Sequence, residues 1–279
     1  MRMMIFRSNR LAIALVGAVM APTFSSAVAQ QANMDVAVAP VAQATQARAS
    51  APTIRPGEFY AAPYFERASG PANAGRIVGT GDVPSIPLTE SERPLQSNER
   101  IFVTVPPGMS SAAGARYVAV RAGRMIEGVG LVMIPTGIVA IERAQPGQAA
   151  EARIVARFAP MQIGDQLVTM ETVPANLPRP TAVAGGALTR VLWISSEPVL
   201  PSLQSYVLVG SATGMRMGDQ ITFYRERRTT ETGVVLPESN IGVAQIVRVT
   251  PQGASALVID QNYGAIAEGT AARVTAKMP

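Results

Sequence analysis

The chain is written twice. Sliding residues 101–168 by 105 positions onto 206–273 requires no gap, and ten residues coincide between 128 and 164. Gly128, Val129, Leu131, Gly137, Ile141, Arg143, Pro146, Ala149, Ile154 and Gly164 fall on Gly233, Val234, Leu236, Gly242, Ile246, Arg248, Pro251, Ala254, Ile259 and Gly269. Several matches are glycines and a proline, residues that fix backbone geometry rather than fill space. An internal duplication of this kind restricts the fold to one small module made twice.

The vocabulary of each copy is that of strands. Residues 101–105, 116–121, 131–134, 137–143 and 150–158 are short β-favouring runs, answered by 206–209, 220–225, 242–250 and 254–259. Pro146-Gly147, Pro251-Gln252-Gly253, Gly164-Asp165 and Gly218-Asp219 punctuate them as turns. The spacing predicts an all-β fold with two tandem small antiparallel barrel or sandwich modules. The first module is expected within 55–172, led in by an aromatic-rich stretch, and the second over 189–279. The Pro-rich stretch 173–188 is expected to join them as a linker without regular structure.

Ahead of the repeats lies a different kind of sequence. Arg2, Arg7 and Arg10 precede the apolar run 11–20, and Ala27-Val28-Ala29 supplies a small-x-small cleavage pattern. Residues 1–29 therefore read as a Sec signal peptide, with Gln30 as the expected mature N-terminus. Residues 30–54, rich in Ala, Gln, Val and Pro, read as a flexible tether. Losing three arginines with the signal takes the formal net charge from +5 to +2. The one dense basic group, Arg225, Arg227 and Arg228, has Glu226 and Glu231 within it. It reads as a solvated strand or hairpin, and no nucleic-acid partner is expected. No later apolar stretch is long enough for a membrane helix, and few aromatics remain for the girdles of an outer-membrane barrel.

Missing atom types restrict the chemistry. The chain has no His and no Cys, and its one lysine is Lys277. It cannot supply a Ser-His-Asp triad, a thiol nucleophile, a lipidated cysteine or a His/Cys zinc site. No catalytic residue, cofactor or metal is expected. Paired carboxylates remain as the route to hydrolysis. Asp165 and Asp219 share a Gly-Asp-Gln context, in which the aspartates are expected to cap backbone N–H groups at turns that launch strands. Trp193 is expected in the core. Phe59, Tyr60, Tyr64 and Phe65 are the candidate binding residues, four aromatics within seven positions. They would form an exposed docking strip, a sugar-stacking surface, or a plug folded back into the first barrel.

The strings RPGEFYAAPYFER (55–67), VMIPTGIVAIERA (132–144) and SSEPVLPSLQSYVLV (195–209) resemble those of uncharacterised exported bacterial proteins that often carry a peptidoglycan-binding LysM domain. No strand–helix–helix–strand pattern of a LysM domain is recognisable here. The paired barrels bear a weaker resemblance to the C-terminal domain of a periplasmic flagellar assembly protein. The resemblance implies an envelope location, in the periplasm or secreted. The expected function is a non-enzymatic envelope-associated binding or scaffold protein, with peptidoglycan or an envelope protein as partner. The alternative is a carboxylate-based hydrolase of cell-wall glycans.

Overall fold

The computed structural model describes residues 54–81, 93–174, 177–195, 203–211, 213–262 and 266–279. All of these fall within one unit, residues 48–279. The expected signal peptide, Gln30, the tether up to residue 53, Asp35 and Asp82 lie outside the described residues.

A short helix α1 (Pro56–Ala61) and strand β1 (Tyr64–Glu66) come first. Six strands follow: β2 (Gly75–Thr80), β3 (Arg100–Thr104), β4 (Arg116–Ile126), β5 (Gly130–Arg143), β6 (Ala150–Arg157) and β7 (Gln166–Thr169). They close into an antiparallel ring in the order β2-β3-β6-β5-β4-β7 and back to β2, with β1 added outside on β5. Next come β8 (Thr181–Ala182), β9 (Leu188–Ile194), β10 (Tyr206–Gly210) and β11 (Gln220–Arg225). A small hairpin of β12 (Arg228–Thr229) and β13 (Val235–Leu236) leads to β14 (Ser239–Thr250), β15 (Gly253–Gln261) and β16 (Ala271–Lys277). The second ring runs β9-β10-β15-β14-β11-β16 and back to β9, with β8 added on β16. Taken in chain order, the two rings have the same strand order.

Each ring is filled by its own alternate residues, as a six-stranded barrel of this size requires. Ile77, Ile101, Val103, Val139, Ile154 and Leu167 are fully buried in the first, and Val207, Val209, Ile221, Phe223, Ile246 and Val258 in the second. Burial of each such side chain contributes about 1.5–3 kcal/mol.

The rings also share a backbone device. A residue at positive φ donates its N–H to the carbonyl of a core residue on a neighbouring strand, and the carbonyl of the next residue accepts that core residue's N–H. In the first ring, Asn98-Glu99 clasps Ile154, Gly114-Ala115 clasps Ile141 and Gly164-Asp165 clasps Ile77. In the second, Gln204-Ser205 clasps Val258, Gly218-Asp219 clasps Ile246 and Gly269-Thr270 clasps Val191. All twelve hydrogen bonds measure 2.8–3.1 Å. Four of the six turns use glycine, because φ of +86° to +96° at Gly114, Gly164, Gly218 and Gly269 disfavours a Cβ.

The register refines the sequence alignment. Strand β5 matches β14 at the expected offset of 105: Gly137 pairs with Ala119 and Arg157, as Gly242 pairs with Phe223 and Gln261. Both glycines sit beside a bulge, where a Cβ would collide with the carbonyl of Ala156 or, at 2.8 Å, of Asp260. Strands β4 and β6 match their counterparts at 104, and β3 matches β10 at 106. The ungapped alignment is thus corrected by small changes in loop length. Between Arg143 and its partner Glu151 the chain runs one residue longer than between Arg248 and Ser255. Ile141 and Ile246 both point into their cores, but Ile154 corresponds to Val258. Ile259 occupies the bulge and is partly exposed, as is Val155 at 44%. One missing loop residue reverses the face of each residue that follows relative to the ungapped alignment, so Ile154 and Ile259, which coincide in the sequence, do not share a face.

The linker expectation is also corrected. Within 173–188, β8 pairs with Ala276 and Lys277. Strand β9 pairs with β16 only at Ala271–Arg273, and β8 takes the same edge of β16 beyond that point, opposite β11. Residues 175–176 lie outside the described residues.

Candidate binding site at the junction of the barrels

The lead-in folds for local reasons. Pro56 sits in the first turn of α1, and Glu58 accepts the Arg55 N–H at 2.9 Å, closing a capping box. Ala62-Pro63 ends the helix and turns the chain into β1.

From there the aromatics divide between the two barrels. Phe59 packs with Ile54, Val247 and Leu257 on the outer wall of the second barrel. Tyr64 packs with Val118, Val120 and Met133 on the outer wall of the first. Phe65 joins Val132 of the first barrel to Trp193 and Leu208 of the second. Trp193 is therefore buried as expected, but between the barrels rather than inside one. Gly253 makes room for Phe65, whose ring carbons would lie 2.9–3.0 Å from an added Cβ. The Tyr206 hydroxyl donates to the Glu58 carbonyl at 3.0 Å, the Tyr60 hydroxyl donates to the Glu171 carbonyl at 2.6 Å, and Ser255 Oγ donates to the carbonyl of Pro63.

The candidate binding strip is consequently not an exposed surface: Phe59, Tyr64 and Phe65 are buried and Tyr60 is half-buried. Nor does it plug a barrel, because each interior is already filled. The aromatic area is spent on joining two convex walls.

Arg248 is the residue that sequence reasoning missed. Its match in the repeat, Arg143, ends its strand with its head in water. The Arg248 side chain is only 13% exposed, because the outer face of β14 meets the lead-in there instead of solvent. The guanidinium lies 3.7 Å from the Tyr64 ring centre and 5.2 Å from that of Phe59, and pairs with Glu171. Burial pushes the Tyr64 phenol up to about 12, opposed by the Arg248 charge and reinforced by Glu66 and Glu171. Burial likewise takes Tyr206 to about 12, with Glu58 adding to the effect.

A cleft of about 380 Å³ opens beside this contact. Tyr64 and Glu66 come from β1, Leu167–Thr169 from β7, Glu171 from just beyond it, and Arg248 from β14. The turn 71–74 and Pro106, Pro107 and Met109 form the rim. All three parts of the molecule contribute, as is common for ligand pockets at domain junctions. A second hollow, of about 390 Å³, lies on the first barrel alone around Phe102. Its arginines, Arg100 and Arg143, are drawn onto Glu151.

Elsewhere the acids hold turns. Asp165 accepts from Gln162 N, Thr136 Oγ1 and two nitrogens of Arg121 at 2.8–3.1 Å. Asp219 accepts from the N–H groups of Arg216 at 2.8 Å and Met278 at 2.7 Å. Each has its partners within its own barrel, in the capping role expected of it. Glu99 does the same at the third turn, accepting from Gln96 N at 2.7 Å, and it also binds Arg93 and Thr80. Among the described residues no group of His, Cys, Asp and Glu is arranged to hold a metal, and no helix is long and apolar enough to cross a membrane. No protein-family model matches the chain, and no curated protein matches it.

Proposed function

We propose that this protein is an exported, non-enzymatic binding or scaffold protein of the bacterial cell envelope, associated with peptidoglycan, and that the common strand order of its barrels descends from a duplication. The observation that carries the binding reading is the junction. Two barrels are fastened wall to wall by a dedicated aromatic segment, and a ligand-sized cleft is left where they meet. A binding protein uses such rigidity, because a cleft fixed in advance needs little ordering when its ligand arrives. The buried Asp165 and Asp219, fully engaged by backbone and arginine donors, support a structural role for the aspartates.

Hydrolysis of wall glycans remains as a second reading for one reason: two carboxylates, Glu66 and Glu171, line the same cleft. Both readings meet one experiment. The secreted chain is incubated with purified sacculi and sedimented, and the turbidity of the suspension is followed. Co-sedimentation without clearing is the expected result. Clearing that is lost in Glu66→Gln or Glu171→Gln would establish the hydrolase, and a chain left wholly in the supernatant would overturn the peptidoglycan assignment.

A further inference from the structure

We infer that the junction cleft binds a cationic, amine-bearing peptide side chain rather than a sugar or an anion; this rests on the binding reading above. The argument begins with charge. Glu66, Glu171 and Arg248 are the charged groups lining the cleft, so its walls carry one more negative charge than positive. That runs against the chain as a whole, whose formal net charge is +5, or +2 without the three arginines of residues 1–29. The local sign is a property of the site rather than of the surface at large.

The single cation is already committed. Arg248 has Tyr64 and Phe59 near its guanidinium and Glu171 against its edge. An incoming carboxylate or phosphate would have to displace Glu171 and would meet Glu66 as well. Glu66 lines the cleft half-buried at the end of β1, and among the described residues its carboxylate accepts only from the N–H of its neighbour Arg67, at 3.0 Å. A carboxylate has capacity for several donors, so most of that capacity is left for a ligand.

The rim reinforces the choice. Pro71, Pro106 and Pro107 have no amide N–H, so at these three lining positions the backbone supplies no donor, and the Pro106 carbonyl is itself engaged by the Met109 N–H at 3.0 Å. A sugar, which must have its hydroxyls both donated to and accepted from, would depend for side-chain donors on Asn73, Thr169, Tyr64 and the already engaged Arg248. An ammonium has three donors and no acceptor, and its demands match an acceptor-rich cleft. The methylene stem of such a side chain would lie along Met109 and the proline rings while the charged head reaches Glu66.

Calorimetric titration of the secreted chain tests this with three probes: a short peptide carrying a free lysyl amine, the same peptide Nε-acetylated, and a β-1,4-linked N-acetylglucosamine oligosaccharide. The amine peptide should bind, and acetylation or Glu66→Gln should each weaken it about tenfold or more, a loss of about 1.4 kcal/mol. Glu151→Gln, outside the cleft, should leave the affinity unchanged. Amide resonances of Asn73 and Thr169 should shift on titration. Equal affinity for the acetylated peptide, binding of the oligosaccharide alone, or no binding of any probe would overturn the inference. Sedimentation with whole sacculi, run in parallel, reads the parent proposal separately: sacculi that bind while the amine peptide does not would remove the ligand class and leave the envelope reading in place.

Discussion

Arg248 and Arg143 hold equivalent positions in the two barrels, yet one is buried under aromatics and the other projects into water. The difference arises outside both barrels, in the lead-in segment, which ends 77 residues before Arg143 and 182 before Arg248. Arg248→Ala removes a guanidinium stacked beside two rings and leaves a hollow at the junction. The expected cost is about 1–3 kcal/mol, read as a lower urea midpoint with an unchanged slope. Arg143→Ala, which loses an exposed pair, should change stability by less than about 1 kcal/mol.

Glu99 makes the protein sensitive to acid. Burial pushes its carboxyl up, but the hydrogen bonds from Arg93, Thr80 and Gln96 outweigh that, so its folded pKa lies below the ordinary value. A depressed carboxylate contributes stability above its unfolded pKa, about 4.3, and that contribution is lost as the pH falls through the lower folded value. Melting temperature should therefore fall more steeply below about pH 4.5 in the natural protein than in Glu99→Gln, which has no such proton to take up. Parallel curves for the two proteins would remove Glu99 from the account.

At the scale of elements, the register of β15 is the most exposed claim. Val258 is fully buried and Ile259 sits partly exposed in a bulge, although the sequence repeat pairs Ile259 with the buried Ile154. Val258→Ala should cost about 2 kcal/mol and Ile259→Ala well under 1 kcal/mol. The reverse order would restore the ungapped alignment. This position also shows where sequence reading stops. Strand identity, turn positions and the Gly-Asp caps were legible because backbone geometry selects Gly, Pro and Asp there. A loop shorter by one residue leaves no mark where β15 runs Ala256-Leu257-Val258-Ile259, since either face then looks apolar. Of the six clasps, only Gly164-Asp165 and Gly218-Asp219 are marked as turns in the sequence; Asn98-Glu99 and Gln204-Ser205 carry no such mark because they adopt positive φ without glycine. The lead-in was recognised as unusual from its aromatic density, but its destination depends on walls built by residues 118–133 and 193–257, which no local pattern reveals.

At the scale of the whole molecule, the account depends on the barrels being held as one body by residues 54–66. The buried phenols offer an indirect check: Tyr64 and Tyr206 should resist ionisation until the pH approaches 12. Since their folded pKa values are raised, the stability they contribute is present below pH 10 and declines as the pH climbs toward 12. Spectrophotometric titration should show at least two tyrosines ionising late, and only while the junction is intact. The direct measurement uses the absence of cysteine from the natural chain. Spin labels attached through Val155→Cys on the first barrel and Leu188→Cys on the second, both exposed positions, report the distance between the barrels by pulsed electron resonance. A single narrow distance distribution, broadened when Phe65 and Arg248 are both replaced by alanine, is the predicted result. A broad distribution in the otherwise unaltered protein would mean that the barrels move independently, and the junction cleft would not exist as a fixed site.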